Sequence, residues 1–346
     1  MEAPYPAARG GFAMNGIHVS GTPGVYFGSR ILLAVLLVIP FHAELRSYSA
    51  PRVPNVSKQA KISVTTDLVI LPVNVTDSNG AFVSGLQKYQ FRVYEEGKLQ
   101  KVTFFTEEDA PVTAGILVDH SRSMGPKLNE VITAVAAFAH SSNPEDEMFV
   151  VDFSDSVLIE MSGGKAFTSD PHILERAVSA VSARGQTALY DAVAEGLTHL
   201  ELGNREKKAL IIVSDGGDNA SHHKYSEILT LARQSQAVIY SIGLVGSTEE
   251  ENPEALERLC KETGGIAFFP RAGQSISDIA KAIARDLREQ YTIGYPPAKE
   301  IIGSSFRKIV VRVDARDRGR LRVRTRTGYS APAGKASPSQ PGAGER

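Results

Sequence analysis

Short runs in which apolar and polar residues alternate fill residues 60–109, at 61–65, 68–75, 81–83, 91–95 and 102–105, parted by turn signals such as Asn79-Gly80 and Glu96-Gly97. Alternation with a period of two, broken by such turns, predicts antiparallel strands with one face buried. A segment of about 45 residues is too small to close a core alone, so it needs strands from elsewhere. From Ala110 the pattern changes. Apolar runs at 114–118, 148–153, 157–161, 209–213, 238–242 and 266–269 now alternate with stretches of helical period at 128–140, 173–182, 188–202, 225–234, 253–263 and 276–290. That order predicts an α/β fold, a doubly wound and mostly parallel sheet with helices on both faces. Ser154-Asp155 joins two apolar runs by a tight turn, which makes 157–161 an antiparallel edge strand. From Tyr291 the alternation returns, at 291–295, 307–314 and 320–327. These runs are expected to supply the missing strands, so that the α/β segment is inserted in a β-sandwich built from both ends of the chain.

The N-terminal region has a different pattern. Arg30 precedes an apolar run at 31–39, followed by Pro40-Phe41 and then by small and polar residues. The run is short for a bilayer span and has the form of the apolar part of a secretory signal, with candidate cleavage points after Ala43, Ser49 or Ala50. An uncleaved anchor and a start at Met14 are the alternatives. The expected organisation is a signal or anchor segment at 1–50, a Pro-containing linker at 51–59, sandwich strands at 60–109, the α/β domain at 110–290, further sandwich strands at 291–330, and a Pro-, Gly-, Ser- and Ala-rich disordered tail at 331–346. The protein is expected to be exported to the periplasm, the cell surface or the exterior.

With 346 residues, 42% hydrophobic and 22% charged, the chain can bury a full core and hold more than one domain. A formal net charge of -1 gives no reason to expect nucleic acid as a partner. The single cysteine, Cys260, excludes an intramolecular disulfide framework and falls on the apolar side of a predicted helix, as a packed thiol does.

The candidate chemistry lies where apolar runs end. The first run stops in Asp119-His-Ser121-Arg-Ser123, at the carboxyl end of a predicted buried strand, where open α/β sheets bind ligands. One carboxylate with hydroxyls suits a hard cation such as Mg²⁺. The same residues also serve as helix caps, so the triplet alone leaves both readings open. Two further loops add to it. Thr187 lies in a Gly-led loop before a helix, and the run at 210–213 ends in Ser214-Asp215.

Together Asp119-x-Ser121-x-Ser123, Thr187 and Asp215 resemble the metal-ion-dependent adhesion site of von Willebrand factor type A domains, and the resemblance runs from about residue 111 to 290. It implies a six-stranded sheet and a divalent cation, usually Mg²⁺, with Mn²⁺ and Ca²⁺ as alternatives. It further implies direct ligation by Ser121, Ser123 and often Thr187, with Asp119 and Asp215 acting through water. A carboxylate from a protein partner would complete the shell. The flanking strands resemble those of exported acidobacterial VWFA-related proteins. The function expected is therefore a non-enzymatic, cation-dependent adhesion or protein-binding module.

Other residues carry weaker signals. Asp191, one turn after Thr187, is expected either to orient the site as an outer acceptor or to stabilise the start of its helix by its charge. Arg320, Arg322, Arg324 and Arg326 fall at every second position of a predicted strand, and so form either an anion-binding face or a solvated edge. His222-His223 lack a third soft ligand and read as exposed loop residues. A Mg²⁺-dependent phosphatase would need a second aspartate where Ser121 stands. An intracellular assembly factor would require that the apolar run at 31–39 is not a signal.

Overall fold

The computed structural model describes residues 68–161, 164–246, 251–271, 273–297 and 306–330. The export segment, the linker, the run at 61–65 and the C-terminal tail lie outside the described residues. All the described residues fall in one compact unit, 63–346. Among them, no helix is long and apolar enough to cross a membrane.

Strand β5 (Val112–Asp119) is buried at every position, as its unbroken apolar run requires. It pairs in parallel with β6 (Glu147–Phe153) on one side and β8 (Lys207–Ser214) on the other. With β7 (Val157–Ile159), β9 (Val238–Gly243) and β10 (Ala267–Phe268) they form a six-stranded sheet in the order β10-β9-β8-β5-β6-β7. Only β7 is antiparallel, paired to β6 through the Ser154-Asp155 turn.

Helices α1 (Leu128–Ser141), α2 (Pro171–Ser179) and α6 (Ile276–Arg288) cover one face, where Val131, Leu174 and Ile283 pack on Ile116 and Val118. Helices α3 (Leu189–Leu200), α4 (Tyr225–Gln234) and α5 (Pro253–Thr263) cover the other, where Val193, Ile228 and Leu259 pack on Leu117, Phe149 and Ile212. Gly115 is needed in β5 because a Cβ there would lie 2.4 Å from the Phe149 ring. Cys260 lies on the buried side of α5, and burial pushes its thiol up to about 12, as for a packed thiol.

The flanks build two antiparallel sheets. β1 (Val69–Thr76), β4 (Phe104–Thr106), β11 (Tyr291–Tyr295) and β13 (Arg322–Arg324) give the order β13-β1-β11-β4. β2 (Phe91–Glu95), β3 (Lys98–Gln100), β12 (Phe306–Val313) and β14 (Gly328–Ser330) give β14-β12-β2-β3. Val69 pairs with Tyr295, and Phe91 with Val313, so each sheet joins strands from before and after the α/β segment. Leu71, Val73, Phe91, Val93, Tyr291, Ile293, Ile309 and Val311 make their shared core. Helix α1 is preceded by a 3-10 stretch, Arg122–Lys127, that the helical period does not foretell.

The predicted strand at 320–327 is corrected. Its first half pairs with β1 as β13, and its last residues lead into β14 on β12, in the other sheet. The chain crosses between sheets at Thr325–Thr327, and a Cβ at Gly328 would stand 2.1 Å from the Arg307 carbonyl oxygen, so only glycine fits that approach. This crossing destroys the single face of arginines. Arg320 and Arg322 are exposed, whereas Arg326 is buried and Arg324 half-buried. The Arg324 guanidinium grips both Asp286 oxygens, at 2.6 and 2.5 Å, and the Arg326 guanidinium donates to the carbonyls of Arg233, Ser235 and Gly328.

Candidate metal centre

Parallel pairing of Val118 with Val213 brings the ends of β5 and β8 level, so Asp119 and Ser214 end adjacent strands. The buried Asp119 carboxylate accepts the Ser121 N–H at 2.9 Å through Oδ1 and the Ser214 hydroxyl at 2.6 Å through Oδ2. The first bond folds the loop back over the strand end, a local turn that aspartate favours. Ser121 Oγ then lies 3.1 Å from Ser123 Oγ, and Ser123 donates to Asp215 Oδ2 at 2.8 Å. Asp215 Oδ1 accepts the Gly217 N–H at 3.2 Å. Asp119, Ser121, Ser123 and Asp215 are thus joined in one chain of hydrogen bonds across two loops.

The third loop is bound to the first by its backbone. Arg184 N–H donates to the His120 carbonyl at 2.8 Å, and Arg122 N–H to that of Gly185 at 3.3 Å. Gly185 has φ +69°, and a Cβ there would lie 2.0 Å from Asp155 Oδ2, so both conformation and space demand glycine. Thr187 is fixed on its other side by Asn219, whose Oδ1 accepts the Thr187 N–H at 2.8 Å and whose N–H donates to the Thr187 carbonyl at 3.0 Å. Four residues after Asp215, Asn219 thereby ties the β8 loop to the loop that leads into α3.

Asp191 lies outside the hydrogen-bonded chain of candidate ligands. Its carboxylate accepts the N–H groups of His222 and His223, both at 2.9 Å, and contacts Nδ1 of each ring, at 3.0 and 2.7 Å. It shares no hydrogen bond with the candidate ligands; it staples the loop that carries Asn219. Burial raises its carboxyl, but these four bonds outweigh burial and hold it well below the usual carboxylate range. His222 and His223 sit at the surface, as expected, and Asp191 engages both rings.

Sequence reasoning missed Ser214, Asn219, Asp155 and Lys127. Ser214 adjoins the recognised Asp215 and Asn219 follows it by four residues, but neither has a signature spacing. Lys127 places its ammonium 3.8 Å from Asp215 Oδ2 and 3.5 Å from Glu251 Oε1, and donates to the Leu244 carbonyl at 2.5 Å. No hydrophobic pattern reveals that convergence.

Burial pushes the Asp119 carboxyl up to about 6, with the nearby Asp215 charge adding to the rise, against hydrogen bonds from Ser121 and Ser214. Two carboxylates and two hydroxyls at one mouth form an all-oxygen donor set, which fits a hard divalent cation. The imidazole of His120, which lies between Asp119 and Ser121 in sequence, is buried and pairs with Asp152 through Nδ1.

A sequence-family comparison matches residues 115–282 to the von Willebrand factor type A domain. The chain contains a von Willebrand factor type A domain. Solved structures resemble it at low identity. A von Willebrand factor type A protein from Catenulispora acidiphila is 12% identical with a TM-score of 0.47, covering 76% of this chain and 73% of its own. An aerotolerance-related membrane protein from Bacteroides fragilis is 15% identical with a TM-score of 0.43, over 51% of this chain and 98% of its own. Manganese-loaded TRAP protein from Plasmodium vivax is 15% identical with a TM-score of 0.41, over 69% and 99%. No curated protein matches the chain. The A domain here is the six-stranded sheet with its six helices, and the candidate centre lies at the carboxyl ends of its central strands.

Proposed function

We propose that the A domain binds a divalent cation, Mg²⁺ with Mn²⁺ or Ca²⁺ as alternatives, and through it a carboxylate on a protein partner. The observation that carries this reading is the hydrogen-bonded chain of Asp119, Ser121, Ser123 and Asp215 at the mouth of a parallel sheet. Ser121 and Ser123 are the proposed direct ligands and Thr187 a third. Asp119 and Asp215 hold water of the ion's shell. When bound, the cation supplies a centre of positive charge for an anionic group of the partner. Asp119 and Asp215 do no more than balance a divalent charge and would reach the ion only through water, so its shell keeps room for one direct carboxylate from the partner.

The same geometry supports binding over phosphoryl transfer. Asp119 is buried at the strand end, where it accepts from Ser121 and Ser214, a placement that suits a group that positions a loop and holds water better than an exposed nucleophile. The position two residues on is Ser121 and not a general acid. The reading is thus a non-enzymatic adhesion module, exported to the envelope or exterior on the strength of the apolar run at 31–39. A pull-down from the envelope fraction with and without chelator tests it. Partners retained only when divalent cation is present support the proposal. An unchanged set of partners after chelation overturns it.

A further inference from the structure

We infer that the A domain carries a second metal site, for a borderline transition-metal ion such as Zn²⁺, built from His140, His172 and Glu175. One ligand atom from each of these residues lies within 4.8 Å of the other two, and among the described residues no other group of three or more His, Cys, Asp or Glu side chains converges this way. His140 Nε2 is 2.6 Å from Glu175 Oε1, and His172 Nδ1 is 3.5 Å from Glu175 Oε2. The two imidazole rings meet edge to face at 5.5 Å.

Local structure brings the three together. Asp170 caps α2 by accepting the His172 N–H at 2.9 Å, and Pro171 starts the helix, which sets His172 and Glu175 one turn apart on one side. His140 is in the last turn of α1, which packs against α2. The site is remote from the candidate adhesion centre. Helix α1 starts beyond the carboxyl end of β5 and runs back, so His140 lies towards the opposite edge of the sheet. The antiparallel bridge of Met148 with Thr168 places the start of α2 at that edge too, beside the start of β6.

Two imidazoles and one carboxylate form a donor set that zinc takes with water in the fourth position. Tetrahedral Zn²⁺ at bond lengths of about 2.0–2.2 Å needs neighbouring donors roughly 3.3–3.5 Å apart. The His172–Glu175 spacing is already of this size and the His140–Glu175 spacing is short of it by less than 1 Å, but they involve different oxygens of Glu175, so the carboxylate would hold the ion through both oxygens or turn to present one, within the reach of exposed side chains. Without an ion, the cluster is a surface His–carboxylate pairing of little consequence for stability. With one, it ties the end of α1 to the start of α2. The oxygen-only adhesion centre and this nitrogen-bearing site therefore sort hard from borderline cations at opposite edges of one sheet.

The test is calorimetric titration of Zn²⁺ into chelator-treated full-length protein at neutral pH with Mg²⁺ in excess, comparing wild type with H140A, H172A and E175Q, and with H223A as control. All three site residues are at or near the surface, and melting curves check that each variant folds. Wild type is expected to bind one Zn²⁺ in the micromolar range, each site variant to weaken it by at least about 10-fold, and H223A to leave it unchanged. Zinc binding that survives H140A and H172A, that is lost with H223A, or that in wild type is weaker than millimolar overturns the inference.

Discussion

Asp191 shows how one side chain can act on a site without touching it. Its carboxylate takes the N–H groups and rings of His222 and His223, and the same loop presents Asn219 to Thr187. Because the folded state holds this carboxyl below its unfolded value of about 3.9, the stability it supplies is fully present above that value and is lost as pH falls through the native one. D191N is expected to cost about 1 kcal/mol at neutral pH, a charge-assisted bond discounted for partial solvent exposure. The difference from wild type should shrink when denaturant unfolding is repeated below about pH 4. A difference that does not change with pH would place the effect of Asp191 outside its charge.

At the scale of elements, the last strands show what a periodic pattern conceals. Four arginines at alternate positions read from sequence as one face, yet the crossing between sheets sends Arg324 and Arg326 inward. Asp286 on α6 accepts from Arg324 on β13, from Asn74 on β1 at 2.8 Å and from Tyr240 on β9 at 2.6 Å, joining the A domain to its flank. R324A strands that partly buried carboxylate and is expected to destabilise the protein by about 3–5 kcal/mol. R320A, at an exposed position, should stay within about 0.5 kcal/mol. Chemical denaturation of the two variants checks both; equal effects would restore a single exposed row.

The contrast marks what was legible in the sequence. Helices α4 and α5 and strand β11 fall at their predicted limits, because strong amphipathic periods and a Pro or Asn start declare themselves locally. Strand β3 did not declare itself: it follows a tight turn in which Glu96 and Gly97 both take positive φ, and it is too short to show a period. The candidate ligands were legible because they sit where apolar runs end. The partners that fix them, Ser214, Asn219 and Asp155, were not, since they become neighbours only through the register of β5 with β8 and the packing of loops.

For the whole molecule, the flanking strands are interdependent. β1 lies between β11 and β13, and β2 lies between β12 and β3, so strands before the A domain pair chiefly with strands after it. Truncation after Gln290 removes both neighbours of β1 and bares Leu71, Val73 and Val93, which are otherwise fully buried. The N-terminal strands are then expected to lose amide protection in hydrogen exchange; retained protection would mean that they fold without the C-terminal strands. At the carboxyl ends of the A-domain strands, the proposed function depends on the cation. Titration of Mg²⁺ and Mn²⁺ into wild type, D119A and S121A by calorimetry tests it most directly. Wild type should bind below the millimolar range, D119A at least about 10- to 100-fold more weakly because it loses one of two compensating charges, and S121A should fall between them because water replaces a neutral ligand. Wild type that binds neither ion below the millimolar range, even with a carboxylate-bearing ligand present, would contradict the account.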